Sequence, residues 1–93
     1  MVEENNQRIL RCKASTDSNK LAGSIHSAYK ENQDAPIIIR VIGAGSLNQA
    51  MKAVIISNKY FAKKGVVVCT QPSFQDAGDN MTAIELKLLF QKI

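Results

Sequence analysis

Six consecutive residues, IIIRVI at positions 37–42, lead directly into Gly-Ala-Gly and then into a long stretch of helical periodicity. No other feature restricts this chain as much. A β-branched run of that kind suits a central strand buried on most of both faces. Pro36 stops any helix before it and biases Ala35 toward extended geometry. Arg40 interrupts the run on the face opposite Ile39 and Val41. Gly43 and Gly45 lack a Cβ, so the chain can turn tightly there and use positive φ. Ser46 then reads as an N-cap, and Gln49, three residues on, completes an S-x-x-Q capping box. Leu47, Ala50, Met51, Val54, Phe61 and Ala62 fall on one face at helical spacing. Residues 41–61 therefore form one unit: strand end, glycine turn, and a helix with a defined buried side.

The rest of the chain arranges itself around that unit. Residues 1–6 read as a flexible, solvated tail, and residues 7–93 as a single domain, the size that 93 residues support. Residues 8–15 form a strand, with Leu10, Cys12 and Ala14 on the core face and Ile9, Arg11 and Lys13 on the other. The capping cluster Thr16-Asp17-Ser18-Asn19 starts a first helix. Its apolar stripe is Leu21, Ala22, Ile25, Ala28 and Tyr29. The second helix runs to about Lys63 and stops at Lys64-Gly65, with Lys59, Lys63 and Lys64 suited to its negative end. Residues 66–71 are a third strand, 72–80 a Pro- and Gly-containing loop, and 82–90 a last strand with Thr82, Ile84, Leu86, Leu88 and Phe90 on one face. The order is β-α-β-α-β-β. Right-handed crossovers and a closing antiparallel hairpin give an α+β two-layer sandwich, with both helices on one face of a four-stranded sheet.

Composition narrows the function class. The chain is 45% apolar and 22% charged, as in a soluble globular domain. It has no run of about 18 apolar residues to span a membrane, and its acidic, polar start is unlike a secretory signal. Cys12 and Cys69 lie in apolar surroundings without a second Cys or His at metal spacing, so both read as buried reduced thiols and the expected compartment is cytoplasmic. His26, the only histidine, falls off the apolar stripe, with no carboxylate or nucleophile near it, and reads as a surface residue. The two loop acids Asp76 and Asp79 are too few for a cation cage. Gly43-Ala-Gly45-Ser-Leu-Asn48 starts like a dinucleotide fingerprint, but Asn48 stands where the third glycine belongs. No enzyme, no cofactor and no metal are expected.

A formal charge of +4 is compatible with a polyanionic partner. Three surfaces are candidates. Lys52, Lys59 and Lys63 share one side of the second helix, with Ile56 among them and Tyr60 beside them. The lysines suit phosphate; Ile56 and Tyr60 suit self-association or another protein. The glycine turn, Gly43, Ala44 and Gly45 with Ser46, Asn48 and Gln49, offers backbone N–H groups to an anion, or simply caps the helix. The open sheet face carries Arg11, Lys13, Arg40 and Lys87 against Glu85, without the aromatics that stack single-stranded bases.

The stretch IGAGSLNQAMKAVIIS closely resembles the stage V sporulation protein S (SpoVS) family. KASTDSNKLAGSI before it and GVVVCTQPSFQDAGDNMTAIELKL after it extend the resemblance over about residues 8–92. It implies a fold similar to the small nucleic-acid-binding protein Alba, in a group whose members are generally dimers that bind DNA or RNA, and it implies a role in spore development. It also implies that the glycine turn faces nucleic acid. Relatives of the Alba type carry cations in that loop and in the arm between the last two strands. Here the loop has none, and the arm has Asp76 and Asp79. Two functions follow as expectations: a dimeric, non-enzymatic nucleic-acid-binding protein, or an adaptor that keeps the fold and binds protein instead.

Overall fold

Two helices, α1 (Ser18–Glu31) and α2 (Ala44–Ala62), lie on one face of a sheet whose strands follow the order β1-β2-β3-β5-β4. The strands are β1 (Val2–Glu4), β2 (Gln7–Cys12), β3 (Ile37–Val41), β4 (Val66–Gly78) and β5 (Met81–Lys92). This is a computed structural model; it describes residues 2–4 and 6–93, the side chains of Val2 and Glu4 excepted. Strands β2 and β3 are parallel, joined through α1; β3 and β4 each pair antiparallel with β5. The α+β sandwich is the one the sequence predicts, with one addition. Val2–Glu4, within the stretch read as tail, pairs antiparallel with β2 and adds a short edge strand. Asn6, with φ 66, makes the reversal; asparagine tolerates that region better than most residues.

The core lies between sheet and helices. Leu10, Cys12, Ile37, Ile39, Val41, Leu86 and Leu88 meet Leu21, Ile25 and Ala28 of α1 and Ala50, Ala53, Val54 and Phe61 of α2. Phe61 is fully buried among rings: Tyr29 at 5.0 Å, Phe90 at 5.3 Å and His26 at 5.4 Å between centroids. Helix α1 starts as expected, the Asp17 carboxylate accepting from the N–H groups of Asn19 and Lys20. Its other end is closed from a distance. Arg8, in phase with Leu10 on the core side of β2, is buried and donates to the carbonyls of Ala28, Asn32 (2.5 Å) and Ala35 (2.6 Å). A guanidinium thus closes this end of α1, sharing the Ala28 carbonyl with the Asn32 N–H and taking two carbonyls of the segment that follows the helix.

The stretch 72–80, expected as a loop, is mostly strand. β4 and β5 stay paired out to Gly78 and Met81, with an irregularity between Asp76 and Gly78. Asp79 (φ 49) and Asn80 (φ 60) are the only residues between them, the conformation of a tight two-residue hairpin turn. Pro72 fits because β4 is the sheet edge and its nitrogen owes no ladder bond. The Asn58 side chain of α2 also reaches this edge, accepting from Val68 N–H (2.8 Å) and donating to Val68 C=O (3.2 Å).

Candidate nucleic-acid interface

Helix α2 begins two residues before Ser46, and that changes the role of each residue in its first turn. Gly43 is the N-cap, with φ 92 and ψ 160, a region open almost only to glycine, and no side chain caps it. Ser46 is buried inside the helix, its hydroxyl 2.7 Å from the Ile42 carbonyl and 2.9 Å from that of Gly43. It donates back toward the entering strand and accepts nothing from the helix. Gln49 donates instead to Thr16 C=O at 2.7 Å, tying α2 to the turn before α1. The expected capping box therefore does not form. Gly45 answers to space: a Cβ there would stand 3.0 Å from the Ala14 Cβ, where the chain leaving β2 runs against the helix start. Gly43, Ala44 and Gly45 are exposed. The first-turn N–H groups, without a side-chain cap, carry the positive end of the α2 dipole into solvent.

From that turn a basic stripe runs along the outside of α2. At about 100° per residue, Lys52, Lys59 and Lys63 fall within about 40° of one another, with Asn48 at the N-terminal end of the same side. All four are exposed, and none of the lysines makes an ion pair among the described residues. Lys52 and Lys63 are about 16 Å apart along the axis at 1.5 Å per residue.

The apolar neighbours of the stripe differ from expectation. Ile56 is half-buried on the α1 side, while Ile55 is 63% exposed and Met51 37% exposed on the β4 side. The buried face is rotated because Ala53 and Ser57, both fully buried, occupy positions that Met51 and Ala62 were expected to fill. Ser57 is accommodated by donating to the Ala53 carbonyl at 2.8 Å. A reading that counts only large apolar residues cannot find that face. Tyr60 remains exposed, its ring 5.8 Å from that of His26. His26 is half-buried, with Lys64 Nζ 2.9 Å from its Nε2. Burial, then the charges of Lys64 and Lys30, hold its pKa below 6.5, so the ring is neutral at pH 7. Further along the same sheet side, Phe74 of the β4–β5 arm pairs with Ile84 and is 79% exposed.

The opposite sheet face is only partly open. Ile9, Ile38 and Ala83 are buried on it. Register sets Arg11 beside Arg40, and Arg40 is held by Glu85 through contacts of 2.7 Å and 2.6 Å to one carboxylate oxygen. Cys12 is buried and Cys69 half-buried, both free thiols; burial raises the Cys12 pKa, against a smaller opposing effect of its hydrogen bond with Thr16. Among the described residues no three His, Cys, Asp or Glu side chains come together, and no helix is long and apolar enough to cross a membrane.

The glycine turn and basic stripe lie inside the segment that a protein-family comparison covers. The family model for stage V sporulation protein S matches residues 8–91, nearly the whole chain, from Arg8 at the α1 clamp to the end of β5. The fold, the glycine turn and that match together place this chain in the stage V sporulation protein S (SpoVS) family, whose name ties it to spore formation.

Proposed function

We propose that this protein is a cytoplasmic, dimeric, non-enzymatic nucleic-acid-binding protein serving a developmental, sporulation-type role. The reading rests on one observation: an exposed glycine turn without a side-chain cap opens onto a stripe of three lysines that no carboxylate of the described residues neutralises. Lys52, Lys59 and Lys63, with the first-turn backbone N–H groups of Ala44, Gly45 and Ser46 and the side chain of Asn48 at the end of the stripe, track phosphates; the buried Ser46 hydroxyl and the Gln49 side chain, turned to backbone carbonyls, do not. Such contacts position a backbone and read little sequence. Three phosphate contacts give log K against log[salt] a slope of about −2.7 on duplex DNA. Fluorescence anisotropy with labelled DNA and RNA oligonucleotides at two salt concentrations tests this. Binding that is tight at low salt and lost at high salt is expected; no binding at low salt overturns it.

Two lysine stripes repel when apposed, so the dimer forms through the apolar flank instead, with Ile55 and Met51 of α2 and Phe74 of the arm against a second copy. Tyr60 and the half-buried Ile56 lie on the other flank and stay available to a different partner. Ile55→Asp is expected to yield monomer in sedimentation velocity, and Lys52→Ala to leave the dimer intact. The adaptor alternative is favoured by the arm, which carries Asp76 and Asp79 and no cation beside the exposed Phe74. It takes precedence if the dimer persists while oligonucleotides fail to bind at low salt.

A further inference from the structure

A cleft of about 560 Å³ opens on the sheet face away from the helices, between the ends of β2 and β3 and the distal part of the β4–β5 arm. Arg11, Lys13 and Arg40 supply its cations, Ile42 and Ala83 line it with apolar surface, and Asp76 is the carboxylate among its lining residues. The parallel register sets Arg11 beside Arg40, an arrangement of like charges that costs stability. Glu85 offsets Arg40, while Arg11 and Lys13 have no ion-pair partner among the described residues. The Asp76 carboxylate is engaged in accepting the Gly78 N–H at 2.8 Å. Nothing in the fold requires a cation at Arg11, because that residue is exposed.

We propose that this cleft binds a nucleotide-sized organic phosphate. Guanidinium groups match phosphate oxygens in paired hydrogen bonds, so an anion bridging Arg11 and Lys13 beside Arg40 turns like-charge repulsion into attraction. The volume lies in the range of small-molecule sites and far exceeds what inorganic phosphate fills. The apolar surface at Ile42 and Ala83 receives the uncharged body of the ligand. That chemistry is shared by a free nucleoside phosphate and by the 5′-phosphate end of a strand. The site is separate from the α2 lysine stripe and stands whether or not that stripe binds nucleic acid.

Thermal shift and calorimetric titration with ADP, adenosine, inorganic phosphate, and a single-stranded 12-mer with and without a 5′-phosphate test the proposal. ADP is expected to raise Tm saturably, with adenosine inactive and inorganic phosphate weaker. Arg11→Ala is expected to weaken ADP at least about tenfold, as loss of a charged hydrogen-bond donor does, while leaving the unliganded Tm equal to or above that of the parent. Asp76→Asn, which can keep the bond to Gly78, is expected to tighten ADP binding. Lys52→Ala is expected to leave it unchanged, which separates this site from the α2 surface. An Arg11-dependent response to the 12-mer only when it is 5′-phosphorylated extends the site to strand ends. No Tm change at millimolar ADP, unchanged ADP affinity in Arg11→Ala, or equal response to ADP and adenosine overturns the proposal. So does competition with ADP by the 12-mer regardless of its 5′-phosphate.

Discussion

Helices α1 and α2 pack side by side on the same sheet, yet they end in opposite ways. Helix α1 is closed at both termini from within the molecule: Asp17 caps its start and the buried Arg8 guanidinium takes carbonyls at its finish. Helix α2 has a bare glycine N-cap and a row of lysines without ion-pair partners among the described residues. The two helices meet in the same core, so burial does not explain the contrast. A protein that spends a buried arginine on one helix end and leaves the other open is treating the first as scaffold and the second as surface.

The strongest test of that contrast is Arg8→Met. It removes the Arg8 bonds to the Asn32 and Ala35 carbonyls, leaves Ala28 only its Asn32 N–H, and is expected to cost about 2–3 kcal/mol in urea unfolding, with nucleic-acid affinity unchanged in the folded fraction. Next in size is Gly43→Ala, which forces a side chain into a glycine backbone conformation and is expected to cost about 1–2 kcal/mol. If the turn contacts phosphate, that variant also weakens oligonucleotide binding, which Arg8→Met does not. Replacing Lys52, Lys59 and Lys63 together with alanine is expected to change stability by less than about 0.5 kcal/mol and to remove the salt dependence of binding. A large loss of stability in that variant would mean α2 is scaffold too. The smallest effect concerns His26, whose pKa in the folded state is depressed. As pH falls below 6.5 the unfolded chain takes up the proton first, so stability is fully present above that pH and declines below it. His26→Gln is expected to flatten that part of a Tm-against-pH profile.

The sequence carried the order of elements, the Asp17 cap and the two-layer plan, because each depends on neighbours a few residues apart. The alternation of residues 82–90 placed Leu86 and Leu88 correctly in the core. Three things escaped. The Arg8 clamp and the Asn58 bonds to Val68 join positions 20 or more and 10 residues apart, and local pattern cannot supply a partner that tertiary packing brings. The arm was hidden because Pro72, Gly78 and two aspartates look like a loop, whereas an edge strand tolerates Pro72, Asp76 and Gly78, and Asp79 belongs to the two-residue turn that closes it. The face of α2 was misjudged through Ala53 and Ser57, small residues that mark where another element comes close. Arg8 did leave one local trace: it shares the phase of Leu10 and Cys12, which places it on the inner side of its strand.

Asn58 has a consequence beyond fixing α2 to the sheet. Strand β4 is long and lies at a sheet border, the kind of template on which copies of a protein stack into fibrils. Asn58 occupies the outward-facing backbone groups of Val68, and Pro72 offers no amide proton two ladder steps later. Only Thr70 between them has both groups open, too short a foothold for a foreign strand to begin zipping. One asparagine on a helix and one proline on a strand thus break the outward ladder between Val68 and Pro72, the part of the border that lies beside α2.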